Sequence, residues 1–366
     1  MKFVVAPDSY KGSLSSAQAA DIIADEIHAR FPDAQVVTLP LADGGEGSLD
    51  IIMAATGGHL NQASVQSPDK RTISASFGVT AAGKAVLEMA QSSGITRQQG
   101  LHPTSSNTYG FGQLLCAALY EGARDFYLCI GGSATTDGGC GMASAMGVVF
   151  LDAEEKPFVP CGATLGQIAS VDTSGIDPRV KDSRFRVLCD VDNPLFGATG
   201  AAHVFAPQKG ASAAELELLD AGLRHLSEIF TQTFGRDLSQ VPSAGAAGGL
   251  GFGSLHVLDA ELTSGIEAII ELYDIESQLQ GASYLITGEG RLDEQSLSGK
   301  VLSGLMRHSC GVPLISICGS CDLDVATLKR SGVRAYAMGD DTTLEESLAH
   351  PEQALRLTTR RTLQDL

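Results

Sequence analysis

Two hydrophobic periodicities divide the chain. Near the N-terminus, short apolar runs alternate with stretches of helical period. KFVVAP (2–7) reads as a strand, and SSAQAADIIADEIHARF (15–31) as an amphipathic helix with Ser15 or Ser16 as its N-cap. AQVVTLPLA (34–42) is the next strand, and SLDIIMAAT (48–56) a helix stopped by Gly57 and Gly58. This βαβα order predicts parallel pairing in a doubly wound sheet. From residue 60 the period becomes two. NQASVQSP, RTISASFGVT and GKAVLEMA alternate between turn residues and predict an antiparallel meander. FYLCIGG (126–132), GVVFLDA (147–153) and FRVLCDV (185–191) extend that region, with a strong helix at 214–234. GIEAIIELYDIESQLQ (265–280) reads as the helix crossing back. The first pattern then returns: ASYLITGEG as a strand and turn, a helix at 301–309, and strands VPLISICG (312–319) and VRAYAM (333–338).

The expectation is an α/β chain of two domains. A flavodoxin-like doubly wound domain covers 1–58 and 272–366, with a mixed α/β domain, 59–271, inserted in it. The length of 366 residues suits two domains, at about 100–200 residues each.

Charge narrows the function. Forty-three acidic against 25 basic side chains give a formal −18, which argues against a nucleic-acid surface. A small anionic substrate would need positive charge gathered at its own site. No apolar run approaches the ~20 residues of a membrane span, and Met1 leads directly into a strand. The eight cysteines lie mostly alone in apolar runs, as buried thiols of a reducing cytoplasm do. Cys318 and Cys321 form a CxxC without a second pair to complete a zinc site. The histidines are scattered outside the glycine clusters, against zinc hydrolysis and a Ser–His–Asp triad. No GxGxxG follows a strand, so a dinucleotide dehydrogenase fits poorly.

The 42 glycines fall in polar clusters, mostly at the ends of predicted strands, where open α/β sheets bind ligands. In PDSYKGSLS (7–15), Lys11 and Gly12 open a helix whose free N–H groups suit a carboxylate or phosphate; Asp8 and Ser9 build the turn or join the site. ADGGEGS (42–48) offers Asp43 and Glu46 as oxygen ligands or a base. GGSATTDGG (131–139) resembles an anion nest, in which Gly131, Gly132, Ser133, Thr135 and Thr136 present amides and hydroxyls. Asp137 caps the following helix or positions a ligand. In CDVDNPLFG (189–197), Asp190 and Asp192 share one face if the strand continues, an arrangement a cation would relieve. PQKGA (207–211) offers Lys209 to a phosphate. GAAGGLG (245–251), with Gly248 and Gly249, suits close backbone packing against a flat ligand or another loop. TGEGRLDEQSLSGK (287–300) is close to a P-loop but is not one, since Glu294 replaces the first glycine and Val301 follows the lysine. It carries Arg291, suited to bidentate contact, with Asp293 and Lys300.

These segments, in this order, resemble the bacterial glycerate kinases of the type 1 family. The resemblance spans residues 6 to 300, with the α/β pattern continuing to the end. It implies phosphorylation of D-glycerate by ATP, at the 2-hydroxyl to give 2-phosphoglycerate. It also implies a flavodoxin-like and a restriction-endonuclease-like domain with the site in a cleft between them. The chemistry of each loop then suggests roles. Asp190 or Asp43 accepts the hydroxyl proton. Asp8, Ser9, Lys11 and Arg291 hold glycerate. The 131–136 loop, Lys209, Gly248 and Gly249 meet ATP. Asp192, with Asp293 as a second candidate, holds Mg2+, and Lys300 neutralises the transferring group. A kinase for another small hydroxy acid and a non-enzymatic sensor of organic acids or phosphate are the alternatives. Homo-oligomerisation is left open.

Overall fold

The computed structural model describes all of the chain except Lys11, Gly12, Ala42, Asp43, Glu46, Gln295, Ser298, Gly299, Lys300 and the side chain of Leu344. In chain order the strands are β1 (Lys2–Val5), β2 (Gln35–Thr38), β3 (His59–Gln66), β4 (Thr72–Val79), β5 (Ala85–Glu88) and β6 (Asp125–Cys129). The short β7 (Val149–Leu151), β8 (Pro157–Phe158) and β9 (Ser170–Asp172) come next. β10 (Arg184–Leu188), β11 (Glu261–Thr263), β12 (Tyr284–Leu292), β13 (Leu314–Cys321) and β14 (Val333–Ala337) complete the set.

The chain divides into two compact units. One comprises Met1–Ala42, Ala54–Thr56 and Ile266–Leu366. Its sheet runs β14-β13-β12-β1-β2, parallel throughout. Numbered within the unit, that is the 2-1-3-4-5 order of a flavodoxin-like doubly wound sheet, and its switch point lies between β1 and β12. Phe3, Val5, Ile23, Ile27, Ile286, Ile315, Ile317 and Leu355 form its core. The helix Ser16–Arg30 begins with a capping box from Ser15 and Gln18. Its buried Glu26 takes hydrogen bonds from Arg356 and Arg360 of the C-terminal helix Pro351–Gln364.

The other unit comprises Asp43–Met53 and Gly57–Gly265. Its sheet runs β11-β10-β6-β5-β4-β3. β11, β10, β6 and β5 are parallel, while β4 and β3 form the antiparallel meander expected from the period-two pattern. Phe111, Leu114, Phe126, Leu128, Phe185, Val187, Leu223 and Phe230 lie in its core. The long helix Ala213–Phe234, capped by Ser212 and Glu215, supplies the last two of these.

Three local expectations need correction. TGEGRL is not a turn, because β12 runs through it to Leu292. Its glycines make room instead: a Cβ on Gly288 would lie 2.2 Å from the Tyr10 hydroxyl and 2.5 Å from the Ile317 carbonyl oxygen. The helix at 265–280 is broken after Tyr273, where Asp274 takes a left-handed φ of 50°. β10 stops at Leu188, so strand alternation does not set the relation of Asp190 to Asp192.

Candidate active site

In the Asp43–Gly265 unit, the parallel strands finish in one row. Glu88, Cys129, Leu188 and Thr263 are register neighbours. The segments that leave these four strand ends therefore share one edge of the sheet, the carboxyl edge at which such sheets take ligands.

The segment after β6 is organised around Asp137, which is fully buried. One carboxylate oxygen accepts from the Thr108 amide (2.8 Å), the Thr108 hydroxyl (2.8 Å) and the Gly141 amide (3.0 Å). The other accepts from the Gly139 amide at 3.3 Å. These donors stand at the starts of the helices Tyr109–Tyr120 and Cys140–Ala145, so one acid caps both. Burial pushes its pKa up, and the hydrogen bonds oppose that shift. Of the two sequence readings of Asp137, capping is the one this geometry displays.

Lys209 lies beneath the same loop, 1% exposed. Its Nζ donates to Ser133 Oγ at 2.7 Å and to the Thr135 carbonyl at 2.6 Å. Desolvation pulls its pKa down to about 7, against the attraction of Asp137. The buried hydroxyls of Thr135 and Thr136 have no hydrogen-bond partner among the described residues. Gly131 and Gly132 are the more open part of the loop.

GAAGGLG packs on this loop as well. Ala247, Gly248 and Gly249 take left-handed backbone at the start of the helix Ala246–Val257. The Gly138 amide donates to the Gly248 carbonyl at 3.0 Å. A Cβ on Gly248 would stand 2.0 Å from the Thr135 carbonyl oxygen, so the close approach requires glycine there.

Gly44 and Gly45 meet the nest as well. The Gly131 amide donates to the Gly44 carbonyl at 3.1 Å, and a Cβ on Gly131 would lie 2.7 Å from Gly45 Cα. Sequence reasoning missed Glu88, which ends β5 and is fully buried. Its Oε2 accepts from the Gly47 amide (3.1 Å) and the Leu49 amide (3.0 Å). The only signal was an acid closing an apolar strand, AVLE, and such acids are usually exposed.

Asp190 and Asp192 follow β10 and are both exposed. Asp190 Oδ1 accepts from the Gly265 amide at 2.8 Å, at the start of the helix Gly265–Tyr273.

In the other unit, Asp8 and Ser9 lie at the β1/β12 switch point. The Asp8 amide donates to the Gly288 carbonyl and the Ser9 amide to Asp8 Oδ1, at 2.8 and 2.6 Å. Tyr10 is buried, and its hydroxyl donates to the Ile317 carbonyl at 2.5 Å. Burial, helped by Cys318, Glu289 and Asp8, pushes its pKa well up and keeps it neutral. Ser296 ties the end of β12 together, its hydroxyl donating to Glu289 (2.9 Å) and its amide to Asp293 (3.2 Å). Arg291 is 66% exposed and donates from Nε to Asp322 Oδ2 at 2.8 Å, a pairing that raises its pKa.

The structure thus brings Gly131, Gly132, Ser133, Thr135, Thr136, Lys209, Gly248 and Gly249 into one assembly. Glu88 and Asp190 lie on the same sheet edge, with Asp192 two residues further along the chain. Asp8, Ser9, Arg291 and Asp293 gather at the carboxyl edge of the other sheet. Lys11, Asp43, Glu46 and Lys300 lie outside the described residues. Among the described residues, no group of three or more His, Cys, Asp or Glu is placed to hold a metal ion.

The CxxC carries no disulfide, and no two of the eight cysteines are joined by one. Cys318 and Cys321 both lie on β13. Three residues of extended strand separate Cα atoms by roughly 10 Å, beyond the ~7 Å a disulfide can bridge.

A sequence model of the Glycerate kinase family matches residues 3–366. The glycerate 2-kinase of Escherichia coli (strain K12) is 42% identical over 340 residues, 92% of this chain and 89% of that protein. The glycerate kinase of Bacillus subtilis (strain 168) is 40% identical over 367 residues, 98% of this chain and 96% of that protein. A crystal structure of a glycerate kinase 2 from Salmonella typhimurium LT2 aligns with TM-score 0.87 at 36% identity, covering 100% of this chain and 98% of that one.

Proposed function

The chain belongs to the glycerate kinase family and is a phosphotransferase, and we propose that it moves the γ-phosphoryl group of ATP onto the 2-hydroxyl of D-glycerate, releasing 2-phosphoglycerate and ADP. One observation carries this reading. An amide-rich loop braced by Lys209 and Asp137 shares a sheet edge with the carboxylates of Glu88 and Asp190. Phosphoryl transfer asks the protein mainly for positioning and charge stabilisation, because its transition state is loose.

Gly131 and Gly132 present the open face of the loop to the nucleotide phosphates. Ser133, Thr135, Thr136 and Lys209 support it from within, and Gly248 and Gly249 pack against it. Asp190, exposed and held through one oxygen, or Asp43 accepts the hydroxyl proton. Asp8, Ser9, Lys11 and Arg291 take the glycerate, with the guanidinium suited to its carboxylate. Lys300 balances charge on the transferring group.

Mg2+ takes one or two carboxylates and completes its shell with phosphate oxygens and water, so it needs no ready-made cage. Asp192, exposed, and Asp293, half-buried, fit that demand. The bound ion would screen the phosphate charge against the incoming oxygen. Eight cysteines that form no disulfide, and the lack among the described residues of a helix able to cross a membrane, fit the cytoplasm we propose as its location.

Phosphorus NMR of the mixture with D-glycerate, ATP and Mg2+ tests reaction and position together. The expected result is ADP with the phosphate on carbon 2. A carbon-3 ester would overturn the position. ADP release only with a different hydroxy acid would overturn the substrate.

A further inference from the structure

Glu88 has no assigned part in the reaction, yet its placement is specific. It is the last residue of β5, its register neighbour is Cys129 of β6, and Gly131 lies two residues beyond. The carboxylate is fully buried. A buried carboxylate is strongly unfavourable unless hydrogen-bonded, and Glu88 accepts two amides, from Gly47 and Leu49. Those amides open the helix Ser48–Thr56, whose N-cap, Gly47, has a left-handed φ of 91° and offers no side-chain cap of its own. Glu88 therefore supplies, from a distant strand, the cap that residue 47 lacks, and its charge suits the helix's positive end.

The consequence reaches the nest. The turn that Glu88 fastens also accepts the Gly131 amide through Gly44. Gly44, with φ 77°, would place a Cβ 3.3 Å from Leu188 Cβ at the end of β10. The turn is thus pinned at one end by a carboxylate and wedged at the other between the ends of β6 and β10.

We propose that Glu88 is a positioning residue for the phosphoryl transfer: its carboxylate fixes Gly44 and Gly47 against the Gly131–Gly132 segment, so that both present their groups to one bound substrate pair. The proposal rests on the reaction assigned above. A misplacement of about 1 Å in such a site lowers the rate by roughly 100-fold.

The test uses the full-length chain with Glu88→Ala and Glu88→Gln, each assayed for kcat and KM for ATP and glycerate. Amide hydrogen exchange at Gly47 and Leu49 is followed in parallel. Glu88→Ala is expected to lower kcat by about 100-fold with little change in either KM. It should also speed exchange at the two amides on the order of fivefold, as loss of a helix cap does. Glu88→Gln keeps an acceptor oxygen and is expected to recover most of kcat and of the protection. Unchanged kcat per folded molecule with unchanged exchange would overturn the proposal. So would a Glu88→Gln enzyme as slow as Glu88→Ala despite restored protection. The exchange readout is independent of substrate. If wild type failed to turn over glycerate, the functional reading would fall while the tether stood on its own measurement.

Discussion

The loop after β6 and the strand ends around β1 and β12 hold similar groups in opposite ways. In the first, Asp137 and Lys209 are buried and bonded to backbone and hydroxyl groups of the loop and of Thr108. In the second, Arg291 and Asp322 pair in solvent, and Asp8 is only partly covered. Buried polar groups stiffen a structure when satisfied and are very unfavourable when half-satisfied, whereas exposed ion pairs contribute little. One region is therefore part of the fold before any ligand arrives, and the other keeps its charge available for one. Substitutions in the first should change stability and activity together; in the second the two should separate.

The largest effect should come from Asp137→Ala. It strips the amides of Thr108, Gly139 and Gly141 of their acceptor in a site closed to water. Each buried donor left alone costs about 1–3 kcal/mol, so a loss of at least about 3 kcal/mol is expected in urea unfolding. Activity should fall with it. A loss under about 1 kcal/mol would break the comparison on its buried side.

Gly248→Ala should come next. The added Cβ would press on the Thr135 carbonyl at 2.0 Å, from a φ of 70° that alanine resists. Overpacking and left-handed backbone together predict a loss of about 2–4 kcal/mol. Gly235→Ala is the control. Its φ is 72°, but nothing lies within 4 Å of the added atom, so only the backbone term of about 1 kcal/mol remains. Equal losses at the two positions would show that packing on the 135–138 segment is not what fixes residue 248.

Lys209→Met sharpens the comparison through pH. The folded pKa of the amine is pulled down to about 7 from an ordinary 10.5. Between those values the unfolded chain binds more protons than the folded one, so this group's contribution to stability grows as pH rises and fades as pH falls toward 7. The deficit of Lys209→Met relative to wild type should widen from pH 7 to pH 9, by up to about 1.4 kcal/mol per unit for a fully shifted group. Paired urea titrations at the two pH values measure it. A deficit independent of pH would mean that the amine carries its charge equally in both states.

The same contrast explains what could be read from the sequence. Period-two alternation gave β3 and β4 directly, and helical periodicity gave Ser16–Arg30 and Ala213–Phe234, because those patterns record one buried face. GGSATTDGG and GAAGGLG were legible as loops of special backbone, but not as each other's packing partners, since contact between segments more than a hundred residues apart leaves no local trace. Glu88 was hidden because its partners are backbone amides some forty residues earlier. TGEGRL misled because glycine permits a turn yet here admits Tyr10 beside a continuous strand. Asp190 and Asp192 were found as acids, but their relation was argued from a strand that ends before them.

The smallest effect on stability, and the most informative one on activity, belongs to Arg291→Ala. The guanidinium stands on β12 with its carboxylate partner, Asp322, 46% exposed on the segment after β13. Removing an exposed partner leaves no buried charge behind, so the thermal midpoint and urea midpoint should stay at wild-type values. If the same guanidinium grips the substrate carboxylate, kcat/KM for glycerate should drop by about 100-fold or more, as loss of one positioned donor does. Arg291→Lys would keep the charge and lose the bidentate fork, so it should fall between the two. Asp322→Ala separates the contributions, because it removes the competing carboxylate and leaves the arginine. Wild-type or better affinity for glycerate in that variant would place the ion pair as a resting partner that the substrate displaces. Should Arg291→Ala instead unfold as readily as Asp137→Ala, the exposed pair would be structural, and the two regions would not differ in kind.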